Sequence, residues 1–478
     1  MTRRSNTQAV LLAAGQGKRM KSSKPKVLHD VLGKTVLGRV LDAVDELNLD
    51  HVHVVVGHEA DQVKAFLESN PPKTPLSVHL QEPQHGTGHA LQQVVPSLEG
   101  FAGTLLVSVA DTPLLQGSTL AALVDGHVEQ KSVVTLLTTE VEDAKSYGRI
   151  LRDETGSVVA IIEDKDASDE QKRIREINPA IYCFEWPICK TGLFTLKNDN
   201  RQKEYYLTDM VAWAHREKHK TSGIKTADWR EVAGINSRLE LAEATRLLRD
   251  MSIHRLALDS GVTIVDPAST WVSPEVSIGQ DSMVLPGCHL IGNVEIGPNC
   301  VVGPHTVMKG PVVVGSNSSI IQSHVSNSKI GADCKVGPFA HLRDGNEIGD
   351  QVRIGNFVEI KKSSIGQKTN VSHLSYVGDA SVGNQANLGA GTITANYNHA
   401  TKQKNRTTIG DGASTGSNSV LVAPITLGDM ATVAAGTVAT RDVPAGALAV
   451  GRARQENKEG WSERKKTSSS PAVSSQKK

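Results

Sequence analysis

The carboxyl-terminal half of the chain repeats an aliphatic residue at every sixth position, usually followed by glycine. Helices repeat about every 3.6 residues and strands about every 2, so a period of six is typical of neither. It fits a chain that runs straight, turns a corner and repeats, so that three hexads close one triangular coil. The pattern therefore predicts a parallel β-helix. Its inward positions are Val272, Ile278, Val284, Leu290, Ile296, Val302, Ile330, Val336, Leu342, Ile348, Ile354, Ile360, Val371, Val377, Val382, Leu388, Ile409, Thr415, Leu421, Leu427 and Val433, with an interruption at about 394–408.

Residues 1–237 show a different pattern, in which short apolar runs alternate with stretches of helical spacing. This alternation is typical of an α/β fold with a parallel sheet. The predicted strands include Gln8–Ala14, His51–Val56 and Thr104–Ala110, and the predicted helices include Leu37–Leu47 and Ala60–Leu67.

The two patterns are joined by a segment in which Leu241, Ala244, Leu248 and Met251 recur at helical spacing. We therefore expect four parts: an α/β domain at 1–237, a linker helix at 238–260, a β-helix at 261–455 and a tail at 456–478. The tail is basic and rich in serine and lysine, which predicts disorder. Its run Arg464–Lys466 fits a solvated tail better than an anion-binding segment.

Charge and composition exclude several classes of function. The 478 residues include 52 Lys and Arg and 51 Asp and Glu, a net charge of +1, which argues against a general nucleic-acid binder. No run reaches the 18 or so apolar residues of a membrane span, and the apolar run at Ala9–Ala14 is too short for a signal peptide. Five scattered cysteines form no CxxC pair. These features predict reduced cysteines in a cytoplasmic protein.

A glycine-rich loop, Gly15-Gln16-Gly17, directly follows the first predicted strand, and Arg19 and Lys26 follow it. Such a loop brings backbone N–H groups close to phosphates, although a tight strand–helix turn with solvated basic residues explains it as well. Asp111 also follows an apolar strand. An isolated aspartate at such a position is more often a helix cap or a surface group.

The wider set of motifs resembles the nucleotidyltransferases that join sugar 1-phosphates to nucleoside triphosphates. With the hexads attached, the chain resembles the bacterial bifunctional N-acetylglucosamine-1-phosphate uridyltransferases/glucosamine-1-phosphate acetyltransferases over about residues 8–461, and the left hand of the β-helix is implied by this resemblance. The motifs that carry it are Leu12–Met20, Pro25–Leu28, Gln81 with Gly86–Ala90, Asp111–Leu114, Tyr147–Ile150, Glu163–Ala167, Glu231 with Gly234–Asn236, and His373–Tyr376.

The resemblance implies a Mg²⁺-dependent site for UTP and N-acetylglucosamine 1-phosphate in the first domain, with Arg19 and Lys26 as catalytic cations. Asp111 and Asn236 would hold the metal ion. Uracil and ribose would contact Leu12, Ala13, Ala14, Gly15, Gln81, Gly86 and Thr87, and the N-acetyl sugar would contact Gly148, Glu163 and Asn178. Ala110 stands where the family usually has glycine, and Pro179-Ala180 stand where it usually has Thr-Gly, which raises the question of sugar affinity.

For the β-helix the resemblance implies acetyl transfer from acetyl-CoA to glucosamine 1-phosphate. His373 would be the base, since histidine titrates near neutrality. Arg343, Lys361, Tyr376 and Asn387 would bind the sugar phosphate, and acetyl-CoA would contact Ala390, Asn396, Tyr397, Ser417, Ala435 and Arg452. A homotrimer is implied, because such grooves lie between neighbouring β-helices.

The loop after Tyr397 departs from the family. Asn398-His399 replace the usual Asp-Gly, and the loop is about two residues longer. Its three basic residues, Lys402, Lys404 and Arg406, are all candidates for a phosphate contact, and the sequence does not choose among them.

Two other interpretations remain open at this point. The β-helix could serve only assembly or regulation beside one nucleotidyltransferase site, or the whole chain could be a non-enzymatic subunit. The intact set Arg19, Lys26, Asp111 and Asn236 argues against the second, and His373 with Arg343 and Lys361 argues against the first. The favoured prediction is an enzyme with two sites that makes UDP-N-acetylglucosamine for the cell envelope.

Overall fold

A computed structural model describes Arg4 and residues 6–462. The described residues form two compact units. One contains the residues up to Asp259 together with Trp271–Val276, and the other contains Ser260–Thr270 and the residues from Ser277 onward. Most of the predicted tail, including Arg464–Lys466, lies outside the described residues. The four predicted boundaries stay a prediction.

The first unit is an α/β structure. Its strands are Thr7–Leu12 (β1), Asp30–Val31 (β2), Lys34–Thr35 (β3), His51–Val56 (β4), Leu76–Leu80 (β5), Thr104–Val109 (β6), Val134–Glu140 (β7), Gly148–Arg152 (β8), Val158–Ile162 (β9), Glu176–Asn178 (β10), Tyr182–Glu185 (β11) and Thr221–Lys225 (β12). Its α-helices are Val36–Asp45 (α1), Ala60–Ser69 (α2), Thr87–Gln92 (α3), Gly117–Gln130 (α4), Trp186–Leu193 (α5), Asp209–Arg216 (α6) and Arg238–Leu258 (α7). Short 3-10 helices lie at Lys18–Met20, Lys26–Leu28, Val95–Leu98, Gln171–Arg173 and Trp229–Val232.

The main sheet of this unit has the order β5-β4-β1-β6-β11-β7-β10-β8-β9, and β12 also pairs with β7. The strands β5, β4, β1 and β6 are parallel, as predicted. The sheet as a whole is mixed, because β11 runs antiparallel to both β6 and β7 and β10 runs antiparallel to both β7 and β8. Since β1, β5 and β6 are parallel, the loops after Leu12, Leu80 and Val109 meet at one edge of the sheet.

Both faces of the central strands β1, β4 and β6 are buried, which explains why these strands are mostly apolar. On one face Leu11, Val54 and Leu106 pack in a core that includes residues of α1, α2 and α4. On the other face Val10 and Val107 pack in a core that includes residues of α3, α5 and α6. The rigid edge that results positions the loops described below.

The second unit is the predicted β-helix. In chain order its strands and that of Trp271–Val272, which belongs to the first unit, are Thr263–Ile264 (β13), Trp271–Val272 (β14), Ser277–Ile278 (β15), Met283–Val284 (β16), His289–Ile291 (β17), Val294–Ile296 (β18), Val301–Val302 (β19), Val307–Val314 (β20), Ser319–Ile320 (β21), His324–Ile330 (β22), Lys335–Val336 (β23), His341–Leu342 (β24), Asn346–Ile348 (β25), Arg353–Asn356 (β26), Glu359–Lys361 (β27), Ser364–Ile365 (β28), Asn370–His373 (β29), Tyr376–Gly378 (β30), Ala380–Val382 (β31), Asn387–Leu388 (β32), Ile393–Ala395 (β33), Tyr397–Asn398 (β34), Gln403–Lys404 (β35), Thr407–Ile409 (β36), Ser414–Thr415 (β37), Val420–Val422 (β38), Ile425–Leu427 (β39), Thr432–Val433 (β40), Val438–Ala439 (β41) and Leu448–Ala449 (β42).

Apart from β34 and β35, these strands form three parallel ladders, one on each side of a triangular coil. The first ladder contains β26, β29, β32, β37, β40 and β42. The second contains β24, β27, β30, β33, β38 and β41, and the third contains β25, β28, β31, β36 and β39. Every predicted inward residue is buried, so the six-residue period is confirmed as the period of the core.

The interruption at about 394–408 is a small hairpin at the corner between the second and third ladders. In it β34 and β35 pair antiparallel, with Tyr397 opposite Lys404. The N–H of Asn405 donates to the carbonyl of Asn396 at 2.8 Å and closes the hairpin base. The repeat then resumes at β36.

Candidate functional site

A cavity of about 560 Å³ lies at the edge of the sheet where β1, β5 and β6 end. It brings together eleven of the predicted residues from loops that are distant in sequence: Leu12, Ala13, Ala14, Gly15, Arg19, Lys26, Gln81, Gly86, Thr87, Asp111 and Asn236. Gln84 and Glu204, which no sequence motif indicated, also line it. Glu204 comes from a loop without a recognised motif.

Two glycines allow the backbone to approach so closely here. Gly17 has φ +56°, and a Cβ there would lie 2.9 Å from Lys26 Cβ. Gly86 has φ +101°, and its Cβ would lie 2.7 Å from the carbonyl oxygen of Tyr205. Larger residues would be strained at both positions and would displace the neighbouring chain.

Lys26, Asp111 and Asn236 form the polar centre of this cavity. The Lys26 ammonium donates to the Asp111 carboxylate and, at 3.1 Å, to Asn236 Oδ1. A helix cap fixes Asn236: Ser237 caps α7, and the N–H of Asn236 donates to the Glu240 carboxylate at 2.6 Å.

This centre fits a magnesium ion. A positive group already lies between a carboxylate and an amide oxygen, which are ligands that Mg²⁺ prefers. Within residues 6–462 no cluster of three or more His, Cys, Asp or Glu side chains is arranged to hold a metal. A magnesium site does not need such a cluster. One carboxylate can be enough, because Mg²⁺ usually takes further oxygens from water and substrate phosphates.

A second cavity of about 180 Å³ continues from the first, and Asp111 and Asn236 line both. It contains the predicted sugar residues Gly148, Glu163 and Asn178. Burial raises the pKa of Glu163, whose Oε1 accepts a hydrogen bond from Thr208 at 3.3 Å.

Tyr147 is a residue of this second cavity that sequence analysis did not select. Its hydroxyl accepts a hydrogen bond from the N–H of Gly234 at 2.9 Å and so ties the Asn236 segment to the sugar cavity. Burial raises its pKa. Its position directly before Gly148 in a recognised motif was the available signal.

The two departures from the family pattern have different surroundings. Ala110 is fully buried in the core shared with α1, α2 and α4, so its methyl group packs in the core. Pro179 and Ala180 line the sugar cavity. Ala180 has φ +61°, and its N–H donates to Asn178 Oδ1 at 3.1 Å.

On the β-helix, Arg343, Lys361 and Tyr376 lie on consecutive coils of the second ladder. Arg343 Nη1 donates to Glu359 Oε1 at 2.8 Å. Of the three basic loop residues, Lys404 adjoins Lys361: its hydrogen bond and its positive charge lower the pKa of Lys361. The structure thus groups Lys404 with Arg343 and Lys361.

His373 lies at the corner between the first and second ladders, at the end of β29. Its Nδ1 lies 3.0 Å from Asn356 Oδ1 on the preceding coil. Asn387 lies on the first ladder, paired with Asn370 and Ser414. Tyr376 and Asn387 therefore lie on different sides of the coil, and within one chain the structure does not bring them together.

The predicted acetyl-CoA residues also fall at two corners. Ala390, Ser417, Ala435 and Arg452 follow strands of the first ladder on successive coils; Asn418 N–H donates to Ala390 O at 2.7 Å. Asn396 and Tyr397 lie at the hairpin corner. There Asn396 is buried and donates to the Asp379 carboxylate, whereas Tyr397 is exposed.

No helix within the described part of the chain is both long and apolar enough to cross a membrane.

Comparison with protein families gives matches in both units. Residues 9–185 match the MobA-like NTP transferase domain. Residues 275–310 and 327–362 match the bacterial transferase hexapeptide, and residues 406–441 match the hexapeptide repeat of succinyl-transferase.

Curated relatives match the chain along nearly its whole length. The bifunctional protein GlmU of Synechococcus elongatus is 46% identical over 452 residues, which cover 95% of this chain and 98% of the relative. The GlmU protein of Streptomyces avermitilis is 45% identical, and the match covers 97% of this chain and 95% of the relative. That of Corynebacterium efficiens is 43% identical, and the match covers 98% of this chain and 96% of the relative.

Among solved structures, UDP-glucose pyrophosphorylase complexed with UDP-glucose covers 51% of this chain at 16% identity and a TM-score of 0.43, a likeness too weak to support an argument. The relatives match both units in one continuous alignment, and the family models match each unit separately. The chain belongs to the family of bifunctional GlmU proteins.

Proposed function

We propose that the two sites perform two successive transfers. The β-helix moves the acetyl group of acetyl-CoA to the amine of glucosamine 1-phosphate. The first unit then joins the resulting N-acetylglucosamine 1-phosphate to the uridylyl group of UTP and releases pyrophosphate. The product is UDP-N-acetylglucosamine.

The observation that carries the uridylyl transfer is that Asp111 and Asn236 line both cavities of the first unit. A nucleotide in the larger cavity and a sugar phosphate in the smaller one meet at these two residues. A phosphate oxygen of the sugar attacks the α-phosphorus of UTP, and the bond to the pyrophosphate oxygen breaks. The attacking group is already an anion, so positioning and positive charge replace a general base.

Lys26 and Arg19 supply fixed positive charge to the triphosphate in this site. Asp111 and Asn236 would hold Mg²⁺, which when bound adds further positive charge at the phosphate oxygens. The Lys26 ammonium donates hydrogen bonds to the Asp111 carboxylate and to Asn236 Oδ1. Once a metal ion binds these two oxygens instead, the ammonium is free to turn to the phosphates.

For the acetyl transfer, Arg343, Lys361 and Lys404 bind the phosphate of glucosamine 1-phosphate. The amine nitrogen attacks the thioester carbonyl, the carbon–sulfur bond breaks and CoA leaves as the thiolate. His373 accepts the proton that the amine loses. An unprotonated imidazole nitrogen is needed for this step.

We propose a homotrimer, because the sugar-binding and acetyl-CoA-binding residues of one chain lie on different sides of the coil. A second copy would bring Asn387 of its first ladder, or Asn396 of its hairpin, next to Arg343, Lys361 and Tyr376 of the first copy. We also place the protein in the cytoplasm, since its five cysteines are all free and buried, as expected in a reducing compartment.

Two assays on the purified chain test this proposal. Acetyl-CoA with glucosamine 1-phosphate, without UTP, should release CoA thiol, and UTP with N-acetylglucosamine 1-phosphate should release pyrophosphate. We expect His373→Ala to lower only the first activity, by about a thousandfold, and Asp111→Ala to lower only the second. If thiol release is absent, an assembly role for the β-helix becomes the better interpretation. If it persists unchanged in His373→Ala, His373 is not the base.

A further inference from the structure

We propose that Asn356 is a positioning residue for acetyl transfer, which holds His373 in the tautomer whose Nε2 is free to accept a proton. This inference rests on the proposed role of His373 as the base. It adds a residue on the preceding coil through which that base is oriented.

The contact itself determines the tautomer. His373 Nδ1 lies 3.0 Å from Asn356 Oδ1, and an amide oxygen only accepts hydrogen bonds. Nδ1 must therefore carry the hydrogen and donate it. In a neutral imidazole the hydrogen then cannot be on Nε2, which keeps its lone pair for the amine proton.

The backbone makes this contact rigid. Asn356 and His373 are directly opposite each other in the pairing of β26 with β29, and the N–H of Leu374 donates to the carbonyl of Asn356 at 3.0 Å. A Cβ on Gly355 would lie 1.8 Å from the carbonyl oxygen of Ser372, so the two coils touch just before the pair.

The residue after Asn356 is also fixed. The ring of Phe357 stacks on that of Phe339 from the coil before, with centroids 5.4 Å apart and planes 11° from parallel. Asn356 thus lies between a close backbone contact and a stacked aromatic pair. The backbone on both sides of Asn356 is therefore held, while its own side chain is half-buried and that of His373 is exposed.

A neutral partner suits this base. The imidazole of His373 forms its hydrogen bond with the uncharged Asn356 side chain, whereas Ser375 and the N–H of Gly391 donate to the backbone carbonyl of His373. A carboxylate at position 356 would orient the ring equally well but would also stabilise the imidazolium, which cannot accept the amine proton. The amide orients the ring without this electrostatic effect.

Four variants of the full chain test the inference: Asn356→Ala, Asn356→Asp, His373→Ala and the double variant Asn356→Ala/His373→Ala. We expect Asn356→Ala to lower kcat for acetyl transfer about tenfold with little change in the KM values, as expected for loss of an interaction that orients the base. Asn356→Asp should recover much of kcat, with the acidic limb of its pH–rate profile moved to higher pH. In the double variant, loss of Asn356 should have no further effect, because Asn356 acts through His373.

A matched control separates positioning from packing. Asn384 also holds adjacent coils through its side-chain oxygen, which accepts from Gln367 N–H at 2.9 Å, but it lies at another corner. Asn384→Ala should leave kcat for acetyl transfer unchanged. All variants should keep uridylyl transfer, which reports a folded first unit, and the far-UV circular dichroism of the unchanged chain, which reports a folded β-helix.

The inference fails if Asn356→Ala keeps the kcat of the unchanged chain, if Asn356→Asp leaves the pH profile in place, or if Asn356→Ala lowers the residual rate of His373→Ala further. The proposed role of His373 fails by a different result, namely an unchanged rate of acetyl transfer in the single variant His373→Ala.

Discussion

Lys26 Nζ lies 3.1 Å from Asn236 Oδ1, although 210 residues separate the two in the chain. The same ammonium is paired with Asp111, so one cation links the loop after β1, the end of β6 and the start of α7. The larger and the smaller cavity of the first unit share Asp111 and Asn236 at this point. Loss of either oxygen donor should therefore affect the metal ion and the reaction together.

Asp111→Asn should lower uridylyl transfer by at least about a hundredfold, because an amide replaces the carboxylate of the metal site. Calorimetry with UTP should also show weaker Mg²⁺ binding. Acetyl transfer should be unchanged, and Asp61→Asn, at a fully exposed aspartate, should change neither activity. Normal Mg²⁺ binding in Asp111→Asn would show that the metal lies elsewhere.

Lys404→Ala should raise the KM for glucosamine 1-phosphate about tenfold, whereas Lys402→Ala should change it about twofold or less. The reason is that the Lys404 ammonium adjoins that of Lys361, so in the proposed site both would contact the same phosphate. Steady-state kinetics with saturating acetyl-CoA measures both variants. Equal effects of the two substitutions would mean that the hairpin binds the phosphate through its overall charge.

Ala180→Gly should stabilise the first unit by about 1 kcal/mol, because alanine at φ +61° occupies a region that glycine enters without strain. The N–H that donates to Asn178 remains in the variant. Urea denaturation measures the free energy of unfolding. Ala233→Gly is the control. Because Ala233 has φ −69°, which alanine adopts without strain, this substitution should lower the free energy of unfolding.

The stability of the first unit should fall below about pH 6.5, and His53 is one cause. His53 is 2% exposed; it contacts His79 at 3.0 Å and Gln8 at 2.9 Å, and burial, with the neighbouring charges of His51 and His79, lowers its pKa to about 3. Between about pH 6.5 and pH 3 the unfolded state binds this proton and the folded state does not. The contribution of this pKa shift to stability is therefore complete above pH 6.5 and is lost as the pH falls.

His53→Gln should make the unfolding free energy depend less steeply on pH, by up to about 1.4 kcal/mol per pH unit within this window. Urea denaturation at several pH values gives the slope. His127, whose pKa burial lowers to about 4, acts in the same direction and leaves part of the slope in place. His324→Gln, at an exposed site, is the control, and an unchanged slope in His53→Gln would contradict the assignment.

Periodicity determined much of this molecule from the sequence alone. A side chain that recurs every sixth residue must point inward on every coil, so the β-helix core could be predicted residue by residue, including Thr415. The apolar runs after Thr7, His51 and Thr104 gave the parallel strands β1, β4 and β6 for a similar reason, since a strand buried on both faces is apolar throughout. The motifs around Gly15 and Asp111 lie at one cavity, because parallel strands end at a common edge.

Only the tertiary structure decided which distant residues meet. β11 enters the sheet antiparallel between β6 and β7, an order that depends on long-range pairing and leaves no local pattern. Lys404 meets Lys361, Tyr147 meets Gly234 and Asn356 meets His373 only in the folded chain. The sequence around these three residues does not indicate which partners they contact. Asn387 and Tyr376 are close in sequence and both predicted to bind the sugar. They lie on different sides of the β-helix, because the chain turns two corners between them, before and after β31. Sequence spacing fixes the distance along the chain, whereas the corners of the coil fix the direction in which each side chain points.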